Sequence, residues 1–109
     1  MALDITDQDL SCLADEALVL AKAHWATLGE RRAYPVSSGE QTARLFSRPW
    51  PEAGLGPAIL QDFAAIADHA RPSGGRFFGY VLGSGEPVGA IGEFLAAVLN
   101  QNVTSWRSA

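Results

Sequence analysis

Gly83, Ser84 and Gly85 separate an aromatic run, Arg76-Phe77-Phe78-Gly79-Tyr80, from an apolar stretch that opens at Pro87. A glycine-rich turn ahead of a helix exposes backbone N–H groups that can hold phosphate. The nucleotide-binding form of such a loop needs a lysine followed by Ser or Thr after the last glycine, and none follows here. The dinucleotide form needs a glycine where Val88 stands, and Gly89 comes one residue late. The stretch therefore reads first as a turn between an extended segment and a helix. The aromatics Phe77, Phe78 and Tyr80 suit either a packed core segment or a pocket wall, because tyrosine offers an apolar ring with a polar tip.

The other chemically capable residues stand apart from one another. His24 and His69 are the two histidines, and neither has a companion ligand at helical spacing. No metal site is expected from them. Cys12 is the single cysteine, with no second cysteine to make a redox pair and no nearby cation to activate its thiol. Ser37, Ser38, Ser84 and Ser105 lack the glycine-framed context of a hydrolase nucleophile. Asp62 and Asp68 fall on the polar side of an apolar helical stretch, where a solvated face is the plain expectation. No nucleophile, base and orienting group occur in a usable combination.

Composition narrows the partners. The chain has 109 residues, 48% hydrophobic and 18% charged, with a net charge of −4. Its eight basic residues are scattered, the longest run being Arg31-Arg32, so nucleic acid is not an expected partner. One cysteine and an acidic, non-basic N-terminus point to a cytoplasmic protein without a signal peptide. No stretch of 18 uninterrupted apolar residues occurs, so no membrane partner is expected.

The elements that would position these residues are mainly helical. Residues 1–34 hold a long amphipathic helix, with Leu10, Leu13, Ala14, Ala17, Leu18, Ala21, Trp25 and Leu28 at helical spacing. Thr6 and Asp9 resemble a capping box, and Gly29 is the expected stop. Residues 35–56 read as a Pro/Gly-rich arm, with a helical turn over 39–46 expected to bury Leu45 and Phe46. Tyr34, Val36, Phe46, Trp50 and Leu55 are its expected anchors on another surface. Residues 57–109 hold a helix starting at Pro57, the extended Phe-Phe-Gly-Tyr segment, and a third helix from Pro87. That third helix carries Val88, Ile91, Leu95, Val98 and Leu99 on one face and a ridge of Gly89, Gly92 and Ala96 on another. Asn100 and Asn102 mark its expected end. About three helices and an arm carry more apolar stripes than one small core can satisfy, so the pattern suits part of a larger assembly.

With these elements placed, residues 76–109, RFFGYVLGSGEPVGAIGEFLAAVLNQNVTSWRSA, resemble the pyridoxal-phosphate-dependent decarboxylases of the aromatic-amino-acid decarboxylase family (group II). That family carries His-Pro-x-Phe-Phe-x-Tyr, a helix rich in Leu and Ala, and a segment ending in Trp and Ser/Ala-Pro. The Tyr34-Pro35-Val36 step and the Pro-rich arm are similar in style. Here Gly74 and Gly75 stand near the family's His-Pro, which alters the local turn.

The resemblance implies the N-terminal helical segment of a homodimeric enzyme of aspartate-aminotransferase fold (fold type I), packed over the second subunit. The whole enzyme would be a carboxy-lyase acting on an amino-acid substrate. The family's Schiff-base lysine, ring-stacking histidine and pyridine-pairing aspartate fall beyond residue 109, and Lys22, the only lysine, matches no cofactor motif. No catalytic, cofactor-binding or metal residue is therefore expected in this chain, nor any covalently held pyridoxal phosphate, and a decarboxylase segment of this kind would be inactive alone. Tyr80, Val81, Gly83 and Thr104 match positions at the substrate-pocket rim; Val81 and Thr104 replace family aromatics. A tail that stops at Trp106-Arg107-Ser108-Ala109 suits a segment of a longer enzyme. A free-standing helical interaction or dimerisation module is the alternative expectation, with a small phosphate-binding domain behind it.

Overall fold

The computed structural model describes residues 5–72 and 85–100, and in these 67% of residues are helical with no strand. The mainly α expectation holds. The extended segment expected at 77–82 and the tail after Asn100 lie outside the described residues. The chain divides into two compact units, Met1–Phe78 and Gly79–Ala109.

The first unit begins with α1, Asp7–Thr27. Thr6 caps it: the Asp9 amide donates to Thr6 Oγ1 at 3.1 Å, and Thr6 Oγ1 donates to Asp9 Oδ2 at 2.7 Å. Asp7 and Asp9 also place negative charge at the positive end of the helix dipole. The helix stops two residues short of Gly29, and that glycine does not adopt the left-handed conformation expected of a stop. Instead the last turn tightens, with the Leu28 amide on the Trp25 carbonyl and the Glu30 amide on that of Thr27. The Thr27 hydroxyl shares the Ala23 and His24 carbonyls at 3.0 and 3.2 Å.

The segment over 39–46 forms α2, Gly39–Phe46, framed by a capping box of Ser38 and Gln41. The expected burial of Leu45 and Phe46 does not occur: they are 52% and 37% exposed. Two turns of helix present only a narrow face. The helix expected from Pro57 starts later than its spacing indicates. Gly56–Leu60 is a 3₁₀ turn, and α3 runs from Gln61 to His69. No side chain caps the 3₁₀ turn. Uncapped amides find carbonyls three residues back, which winds the first turn more tightly.

α3 and the 3₁₀ turn pack on α1. Ala67 is the buried centre of that contact, and Pro72 is buried beside it. Leu13, Leu20, His24 and Leu28 of the α1 region are only half-buried. Arg31 adds polar closure. Its Nη1 donates to the Ala67 carbonyl and to Asp68 Oδ1, both at 3.1 Å, and its Nε donates to Thr27 Oγ1 at 3.2 Å.

In the second unit, α4 spans Pro87–Leu99. Glu86 caps it, its carboxylate accepting from the Gly89 amide at 2.7 Å. Asn100 ends it in the left-handed conformation at φ 47°, as its position in the sequence suggests. Val88, Ile91, Leu95, Val98 and Leu99, the expected apolar face, are all exposed, between 54% and 77%.

Two measurements probe this construction. Arg31→Ala is expected to destabilise the unit by about 2 kcal/mol, because one guanidinium closes three polar contacts. Asp68→Ala removes a 65% exposed partner and is expected to cost less than about 1 kcal/mol. Urea titration followed by circular dichroism compares them, and equal losses would refute the assigned role of Arg31. At the start of α1, Thr6→Ala is expected to cost about 1 kcal/mol and Thr6→Ser much less. Hydrogen exchange at the Asp9 amide reads this directly, and equal protection in both variants would exclude the cap.

Candidate functional site

The residues matched to a substrate-pocket rim, Tyr80, Val81, Gly83 and Thr104, lie outside the described residues, as do Phe77, Phe78, Ser84 and Ser105. Of the glycine turn, Gly85 is described, with φ +78°. Glu86 accepts from the Gly89 amide in the first turn of the helix that follows. A carboxylate in that position repels a phosphate and removes the donor the phosphate would use.

The remaining candidates are held by local structure. His24 packs edge-to-face on Phe63, with centroids 6.1 Å apart. Its Nδ1 is buried and makes no hydrogen bond among the described residues. His69 Nδ1 lies 2.8 Å from the Ala65 carbonyl, so that nitrogen carries the proton and donates it. Cys12 is exposed, and its sulfur receives a 3.5 Å contact from Gln8 Nε2. Ser38 caps α2, and Ser37 Oγ lies 3.3 Å from Thr42 Oγ1. Among the described residues no group of three His, Cys, Asp or Glu side chains is arranged to hold a metal ion.

Asp68 lies on the expected solvated face, at 65% side-chain exposure, whereas Asp62 is half-buried; both are paired. Asp62 receives both terminal nitrogens of Arg48: Nη1 at 3.2 Å on Oδ1, and Nη2 on Oδ2. The Asp62 hydrogen bond, and after it the Asp62 charge, hold the Arg48 pKa above its ordinary value. This pair ties the arm to α3, as Arg31 and Asp68 tie the end of α1 to α3. Sequence reasoning missed both arginines, because each partner lies too far along the chain for any helical spacing to indicate it.

Shallow recesses lie on the surface of the described residues. A cleft of about 390 Å³ lies between the start of α1 and the 3₁₀ turn, lined by Ile5, Asp9, Leu13, Pro57 and Ile59. A second, of about 160 Å³, includes Arg31, Tyr34, Pro35, Val36 and Pro72. The Arg71 guanidinium sits 4.9 Å over the Tyr34 ring, a cation–π contact. Neither recess brings a nucleophile to a base. The expected arm anchors remain at the surface, Trp50 at 92% and Val36 at 79% exposed.

No helix among the described residues is long and apolar enough to cross a membrane. No protein-family model matches the chain, and no match to it is found among curated proteins or solved structures.

Proposed function

We propose that this chain is the amino-terminal segment of a pyridoxal-phosphate-dependent amino-acid decarboxylase, where it forms dimer interface and substrate-pocket rim. The observation that carries the reading is the mismatch between apolar content and burial. Large apolar residues of α1, α2, the arm and α4 are exposed, while Ala67 and Pro72 are the buried residues among those described. A chain so constructed is suited to lie against another protein surface. The Phe77-Phe78-Gly79-Tyr80 motif and the helix after it indicate which kind of protein supplies that surface.

The cofactor in such an enzyme serves as the electron sink that makes loss of carbon dioxide feasible. The described residues do not fit it: Lys22 is exposed on α1, and no histidine or aspartate stands in position to stack on or pair with a pyridine ring. The chain's own contribution is to exclude water at the pocket edge and to orient substrate through the hydroxyl and ring of Tyr80.

Sequencing the reading frame past codon 109 is expected to reveal a lysine-bearing cofactor motif. Co-expression of this chain with that remainder is expected to restore amino-acid decarboxylation, while this chain alone keeps no aldimine absorbance after dialysis against buffer. A frame without such a motif removes the decarboxylase reading and leaves a helical interaction module. A dialysis-stable aldimine on the isolated chain contradicts the proposed division of labour.

A further inference from the structure

The cleft between the start of α1 and the 3₁₀ turn has apolar walls and one charge. Ile5 and Ile59 are 40% and 47% exposed, and Leu13 is half-buried. Its volume of about 390 Å³ falls in the range of small-molecule sites. All of its walls belong to the first unit, so one compact body holds it.

Asp9 is the one ionisable residue in the lining. Its Oδ2 accepts from Thr6 Oγ1 at 2.7 Å and from the Thr6 amide at 3.4 Å. The capping box thereby fixes the orientation of the carboxylate. Among the described residues nothing donates to Oδ1. No Lys, Arg or His occurs from Met1 to Ala21 or from Pro49 to Asp68, the two stretches that wall the cleft. Asp7, Asp15, Glu16 and Glu52 add negative charge to them, unpaired among the described residues. The positive end of the α1 dipole is already answered by Thr6 and Asp7.

An occupant therefore needs an aliphatic body and one positively charged hydrogen-bond donor. A neutral apolar molecule would take water from Oδ1 and return nothing. An anion would meet the carboxylate. A quaternary ammonium has no N–H to offer. No aromatic ring lines the cleft, so an aryl body gains no stacking there.

We propose that this cleft binds a primary alkylammonium ion, its chain along Leu13, Pro57 and Ile59 and its N–H donating to Asp9 Oδ1. The proposal uses none of the rim positions, and its test is independent of the decarboxylase reading.

Amide chemical shifts of the full 109-residue chain, titrated with hexylammonium chloride, test it. Saturable shifts are expected at Asp9, Leu13 and Ile59, with a dissociation constant on the order of millimolar. Butylammonium is expected to bind about tenfold more weakly, because two fewer methylenes are buried. Hexanol is expected to bind about fivefold more weakly than hexylammonium, and hexanoate not at all. Asp9→Asn is expected to bring hexylammonium and hexanol to equal affinity. That ratio reads the charge even where the variant loosens the cap. Ile59→Trp, which fills the cleft, is expected to abolish binding of both while helicity by circular dichroism is kept. Equal affinities of hexylammonium and hexanol for the unaltered chain overturn the assignment of a cation. Shifts that saturate on α4 and not in the cleft, or unchanged binding in Ile59→Trp, overturn the site. Cleft shifts that follow protein concentration and not the amine assign the cleft to a second copy and overturn the proposal as well.

Discussion

α1 carries an apolar arc wider than its neighbours can cover, and the rest of the first unit follows from that constraint. α3 has nine residues and α2 eight. Helices shorter than about 12–15 residues are marginal on their own, so both depend on contacts for their stability. α3 obtains them by laying Phe63 and Ala67 on the side of α1 that holds Leu20 and His24. The opposite side of the same arc keeps Leu10 and Leu18 at the surface.

Polar ties replace a deep core. Arg31 joins α1 to α3, Arg48 joins the arm to α3, and capping boxes close α1 and α2. Such ties confer direction more than stability, because exposed ion pairs contribute little against solvent and salt. Arg31 differs in being mostly shielded, at 23% side-chain exposure, and in closing a backbone carbonyl as well as a carboxylate. Removing the carboxylate leaves the carbonyl contact in place, whereas removing the guanidinium opens both.

Among the described residues no group of three His, Cys, Asp or Glu side chains is arranged to hold a metal ion, and apolar residues of α1 and α4 are exposed. A pocket rim contributes shape, exclusion of water and a few oriented polar groups, and the reactive groups can reside on another part of the protein. An interface segment can therefore matter to catalysis without containing a catalytic group.

Much of the fold was legible in the sequence because helix signals are local. The Thr6/Asp9 box, the span of α2, the start of α4 at Pro87 and its end at Asn100 each depend on residues within one turn. Gly29 directly follows the C-cap Leu28, where the sequence places the stop, whereas the α-helical start at Pro57 was misread, because no side chain caps the turn before it. Of the candidate site, the rim positions 80, 81, 83 and 104 are an expectation from resemblance, and the isolation of His24, His69 and Cys12 was legible from spacing. Tertiary structure alone decided which acids are paired, which half of the α1 arc is covered, and that Leu45 and Phe46 stay exposed. Those outcomes depend on residues far apart in the chain and on the area one helix can cover on another, and helical periodicity encodes neither.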